Sequence, residues 1–178
     1  MTSEVAITEL VKELAASLRK HNQTLATVES CTGGLVGAAL TELAGISDVY
    51  LGGFVTYSNM AKQMAAGVNP QTLVQHGAVS SQVAIEMGKG GCGKLLATNS
   101  IAITGIAGPD GGSDEKPVGT VWICVAQSNG QYDARRFVFP GDRLAVRMRS
   151  LEASLLMSTQ HLNDDYRKLE HQYERLTA

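Results

Sequence analysis

Three short apolar runs in this chain each end in small polar residues, and glycines frame those turns. Thr24 to Val28 leads into Glu29-Ser30-Cys31-Thr32-Gly33-Gly34, then into a helical pattern through Leu35, Ala38, Leu40 and Leu43. Leu51 to Tyr57 leads into Ser58, a plausible N-cap for a short helix that holds Lys62. Ser100 to Thr104 opens a long loop from Gly105 to Gly119. Strand, polar turn and helix in succession is the pattern of an α/β sheet, since neighbouring parallel strands need a crossover that is usually helical.

The remaining segments fit the same class. Ile7, Leu10, Val11, Leu14 and Leu18 fall on one face of a first helix, opposite Glu9, Lys12, Glu13 and Arg19. Pro70 opens a helical turn that ends before His76-Gly77, and Ser80 or Ser81 caps a helix running toward Leu96. That helix contains Gly88, Gly90, Gly91 and Gly93. Each interior glycine costs about 1 kcal/mol relative to alanine, so close packing against neighbours is the expected compensation. Val121 to Ala126 and Ala134 to Val138 flank Ser128-Asn129-Gly130, a hairpin signal, and Asp142 caps the last long helix. The predicted architecture is a three-layer α/β/α sandwich around a mixed sheet, with one domain over residues 1–165. Residues 166–178 are expected to form a helical extension or tail. Leu144, Met148, Leu151, Leu155, Leu162, Tyr166, Leu169, Tyr173 and Leu176 follow a period near 3.5. Two readings stand side by side: a helix whose tail frays, or a seam from Leu162 to Leu176 against a second subunit. Asn163-Asp164-Asp165 is a possible break.

Composition narrows the function. A formal net charge of −2 and 5% aromatics argue against a nucleic-acid partner, which needs surplus basic charge or stacking platforms. No run approaches the roughly 20 apolar residues of a membrane span. The opening MTSEVAITEL shows no signal-peptide pattern. Cys31, Cys92 and Cys124 are an odd number without a close pair, against a disulfide framework, and a cytoplasmic location is expected. His21, His76, His161 and His171 lack metal-ligand spacing, so no metal is expected. Glycine is in excess, 19 of 178 residues against a usual share of about 7%.

In open α/β sheets, ligands bind outside the carboxyl ends of strands. The three turns therefore hold the candidate chemistry. Ser30 lies at a strand-to-helix turn, where the amides around Thr32, Gly33 and Gly34 suit an anion or an oxyanion; helix capping by Ser30 or Thr32 is the plainer explanation. Lys62 becomes a base if burial lowers its pKa, and is otherwise a solvated lysine. Thr104-Gly105-Ile106-Ala107-Gly108-Pro109-Asp110-Gly111-Gly112 is neither a dinucleotide fingerprint nor a P-loop, yet its length favours a function.

Taken together, Glu29 to Gly34, Thr56-Tyr57-Ser58-Asn59 with Lys62, Gly77 to Ser80, Thr104 to Gly112, Lys116 to Val121 and Gly141-Asp142-Arg143 resemble the CinA C-terminal domain family. The similarity runs from about Ile7 to Leu162 and is nearest to the family's stand-alone nicotinamide-nucleotide amidases. It implies deamidation of nicotinamide mononucleotide to nicotinate mononucleotide and ammonia, as in pyridine-nucleotide salvage. It also implies no metal or organic cofactor. The expected partner is the small nucleotide substrate, without nucleic acid or membrane, and a homo-oligomer is expected. On residue types, Ser30 is the expected nucleophile, Lys62 its base, and Tyr57 a relay or orienting group. Thr32, Gly33 and Gly34 are expected to hold the oxyanion. Thr104, Gly105, Gly108, Gly111 and Gly112 would shape the nucleotide site, with Arg143 or Arg147 at the phosphate. The competing expectations are an inactive nucleotide-binding sensor of the same family and, more remotely, a phosphotransferase.

Overall fold

The computed structural model describes residues 4–165 and 173–177. Its elements are α1 (Glu4–Lys20), β1 (Leu25–Glu29), α2 (Leu35–Thr41), β2 (Tyr50–Val55), α3 (Asn59–Ala66), α4 (Pro70–His76) and α5 (Ser81–Leu95). β3 (Asn99–Gly105), β4 (Thr120–Gln127), β5 (Tyr132–Val138), α6 (Arg143–Asn163) and β6 (Tyr173–Thr177) complete it. The strands form one sheet in the order β2-β1-β3-β4-β5-β6. β1 is parallel to both β2 and β3, and the later pairs are antiparallel. Among the described residues, no helix is long and apolar enough to cross a membrane.

Alternation along the central strands sets the two cores. Ile101, Ile103, Val121, Ile123 and Val125 pack with α1, α2 and α6 on one face, while Ala102, Trp122, Cys124 and Ala126 pack with α4 and α5 on the other. The α/β/α sandwich with a mixed sheet is therefore what forms. The residues facing α5 are mostly small, so that helix lies close to the sheet. A Cβ on Gly88 would sit 3.0 Å from the Ala126 Cβ, and one on Gly91 would press on Ser100 and Val28. A Cβ on Gly90 would overlap the carbonyl oxygen of Ala66, at the end of α3. Thus the glycine-rich stretch of α5 is a packing device, and it fixes the helix that carries Lys62.

The C-terminal expectation needs correction. α6 stops at Asn163, where Asp164 adopts a left-handed φ of 50° and its N–H returns to the Gln160 carbonyl. Residues 173–177 are not helical but add a strand antiparallel to β5, so the 3.5-residue seam does not extend to Leu176. Tyr166 and Leu169 lie outside the described residues. The polar run Asn163-Asp164-Asp165 ends the helix, and the open edge of β5 supplies hydrogen bonds that an isolated helical tail lacks. Arg175 donates to Asp133, whose carboxylate also holds the fully buried Arg135 at 2.7 Å. Two cations share one buried carboxylate across the strand pair.

Gly90→Ala tests the packing claim. The added methyl must displace α3, and we expect a loss of about 1–3 kcal/mol in urea unfolding, whereas Gly93→Ala, which meets open space, is expected to be neutral or stabilising.

Candidate active site

The three turns converge at the carboxyl ends of β1, β2 and β3. Ser30 follows β1 directly and is 7% exposed, its N–H bonded to Ile103 at 3.0 Å. Lys62 reaches it from α3, a helix whose Ser58 cap accepts from the Ala61 N–H. The Lys62 Nζ donates to Ser30 Oγ at 2.9 Å and to the Thr56 carbonyl at 2.8 Å. Lys62 is only 1% exposed, and burial lowers its pKa from the ordinary lysine value. Among the described residues, no carboxylate forms an ion pair with it. A buried amine without a counter-ion favours its neutral form, which is the form that accepts a proton. Cys31, the next residue, has its thiol pushed up to about 11 by burial, so it stays a neutral thiol beside the serine.

Glu29 is the residue whose role the sequence reading missed. It is 1% exposed. Its carboxylate accepts from the N–H groups of Gly34 and Val36 at 3.1 Å each and of Gly37 at 2.9 Å. The start of α2 is thereby neutralised by the chain's own anion. Two of the three amides expected at the oxyanion already have acceptors within the chain. Gly34 gives its N–H to Glu29, and Gly33 gives its own to the Ser30 carbonyl at 3.0 Å. No oxygen among the described residues accepts from the Cys31 or Thr32 N–H. Gly33 and Gly34 serve the turn itself, with φ of 65° and 93°. The available signal was an acid immediately before a glycine turn that opens a helix.

The other expected residues divide. The Tyr57 hydroxyl accepts from Arg143 at 3.1 Å rather than joining Ser30 and Lys62, and its ring is largely exposed. The same Arg143 donates to the Gly108 carbonyl at 2.9 Å, so it bridges Tyr57 and the third loop. Arg147 donates to the Thr32 carbonyl at 2.8 Å. Thr104 is buried and gives its hydroxyl to the Ala78 carbonyl, tying the Gly77–Ser80 turn to β3. Gly105 and Gly112 lie where a side chain would strike the returning chain at Thr120–Val121 and Val118, and Gly108 and Gly111 take φ of 85° and 90°. Among the described residues, the buried Thr32 hydroxyl has no hydrogen-bond partner. Among the described residues, no cluster of three or more His, Cys, Asp or Glu side chains suits a metal ion.

Glu29→Gln keeps the size of the side chain but turns an NH2 toward amide donors. We expect a loss of about 1–3 kcal/mol in denaturant unfolding and a fall in kcat larger than any change in KM, because the Ser30 turn loses its anchor.

The chain is similar to known proteins over most of its length. The chain is 47% identical over 147 residues to "Nicotinamide-nucleotide amidohydrolase PncC" of Escherichia coli (strain K12), covering 83% of this chain and 89% of that one. It is 48% identical over 158 residues to a "CinA-like protein" of Chlorobaculum tepidum, of which it spans 37%. The solved competence/damage inducible protein CihA from Agrobacterium tumefaciens superposes with a TM-score of 0.84 at 40% identity, over 88% of this chain and 95% of that one. Residues 7–162 match the family model described as "CinA C-terminal domain", and the chain belongs to that family.

Proposed function

We propose that this protein is an amidohydrolase that converts nicotinamide mononucleotide to nicotinate mononucleotide and ammonia. The observation that carries this reading is the 2.9 Å contact between buried Lys62 and Ser30, in a chain 47% identical to a named nicotinamide-nucleotide amidohydrolase. Ser30 Oγ attacks the carboxamide carbon while its proton passes to the neutral Lys62 amine. The carbonyl oxygen becomes an oxyanion, held by the N–H groups of Cys31 and Thr32; one such donor contributes about 3 kcal/mol in other hydrolases. Collapse breaks the carbon–nitrogen bond, and the Lys62 ammonium returns the proton to the departing ammonia. Water then attacks the acyl ester, giving its proton to Lys62; as the ester bond breaks, Lys62 returns that proton to Ser30 Oγ and the nicotinate product leaves. The Thr56 carbonyl holds Nζ in place throughout.

Arg143 and Arg147 stand at the rim with Tyr57, where cationic side chains suit the substrate phosphate. In this reading Tyr57 orients Arg143 rather than relaying the serine proton. Ammonia release from nicotinamide mononucleotide, measured beside Ser30→Ala, tests the whole. Turnover in the parent and a loss of at least about a thousandfold in the variant are expected. Nucleotide binding without turnover would replace the enzyme with a sensor.

The lysine makes a second prediction with a definite sign. Below its lowered pKa, Lys62 is an ammonium and cannot accept the serine proton. Accordingly kcat/KM should rise with pH, with an inflection below the ordinary lysine value of about 10.4. Between the folded and unfolded pKa values the unfolded chain binds a proton that the native chain lacks, so stability also rises with pH there. Lys62→Met should abolish turnover and flatten that rise while keeping Tm within about 4 °C of the parent, since it removes a desolvation cost along with the amine. A pH-independent kcat/KM in the parent contradicts the assignment.

A further inference from the structure

Thr32 closely follows Ser30, and its own groups do little to fix its orientation. The side chain is fully buried, and among the described residues its hydroxyl has no hydrogen-bond partner. No oxygen among the described residues accepts from its N–H. The Gly33 N–H closes the turn on the Ser30 carbonyl at 3.0 Å. Between those ends the Thr32 carbonyl is held from outside: Arg147, 115 residues further along the chain, donates to it at 2.8 Å. Thr32 makes no other hydrogen bond among the described residues.

Arg147 is well mounted for this hold. It is half-buried on α6, between fully buried Val146 and Ser150, and Asp142 caps the start of that helix. Among the described residues no acid forms an ion pair with it. Its charge is therefore spent on a backbone oxygen, and a charge-assisted hydrogen bond is about twice as strong as a neutral one. Arg143, one helical turn earlier, is exposed and reaches Tyr57 and the Gly108 carbonyl instead. Each residue has only two soft backbone dihedrals, so fixing where its carbonyl points restricts where its N–H points. We propose that Arg147 is a positioning residue for the oxyanion: its hold on the Thr32 carbonyl keeps the Thr32 N–H aimed at the carboxamide oxygen as charge develops there. This rests on the amidase reading and gives the two arginines separate tasks, Arg143 toward the substrate phosphate and Arg147 toward the turn.

Ammonia release from nicotinamide mononucleotide by Arg147→Met, beside the parent, tests this. The variant keeps an apolar stem and loses the donor. Removing an oxyanion donor outright lowers kcat about 10²–10³-fold in another hydrolase, so a donor left unsteadied should lower it about tenfold or more. KM should stay within about twofold of the parent, because the interaction is made in the transition state. Thionicotinamide mononucleotide gives a readout that a merely structural role would not move, since its sulfur is a weak hydrogen-bond acceptor. The parent's preference for oxygen over sulfur should shrink in Arg147→Met by about the factor lost from kcat. Arg147→Lys keeps the charge and a donor, should recover part of both effects, and serves in its place if the methionine variant fails to fold. A raised KM with kcat intact, or an unchanged preference for oxygen, would overturn the proposal and leave the amidase reading standing. A parent without turnover would remove both.

Discussion

The site depends on where Glu29 puts its carboxylate. It is a buried charge at the end of a buried strand, and such a charge is tolerated only when its lone pairs are matched. Three amides at the start of α2 match them. The same residue's carbonyl accepts from the backbone N–H of Thr56 at 2.7 Å, so Glu29 ties β1 to the turn after β2 as well as to α2. Ser30 is therefore held between two fixed points. Thr56, fixed in turn, offers the carbonyl that anchors Lys62. A single residue thus helps set the relative positions of Ser30 and Lys62.

The burial of Lys62 is the costly feature of this arrangement. An amine removed from water without a counter-ion opposes folding whenever it is charged. The same desolvation lowers the pKa of the amine and so favours its neutral form. The fold supports it indirectly: the glycines of α5 let that helix sit close to the sheet, and Gly90 lets α3 come into backbone contact with it. The cost of those glycines in a helix accompanies close packing on the sheet and on α3. Packing, in this chain, is what places the lysine beside Ser30.

Around this centre the residues serve as frame rather than reagent. Arg143 joins Tyr57 to the Gly108 carbonyl, Arg147 holds the Thr32 carbonyl, and Thr104 fastens the turn after α4 to β3. These bonds link successive loops that are far apart in sequence. The long Gly105–Gly119 loop keeps a defined course because its glycines lie where side chains would strike the returning chain. The site is thus a set of loops tied to one another at one end of the sheet, which suits a reaction whose rate depends on positioning.

Much of this was legible in the residues alone. Periodicity and turn chemistry determined the class, the sandwich and most element boundaries, because apolar alternation and caps such as Ser58, Ser80 and Asp142 act within a few residues of themselves. The pairing of Ser30 with Lys62 was expected from residue types in loops at strand ends. What tertiary structure alone decided is which donors are already taken. Nothing local to Gly33 and Gly34 says that their amides belong to Ser30 and Glu29, and nothing near Tyr57 says that Arg143, 86 residues away, will hold its hydroxyl. The C-terminal seam failed for the same reason. A 3.5-residue period records only that one face of a helix is apolar, whereas the strand at 173–177 exists because β5, brought alongside by the fold, had an edge to pair with.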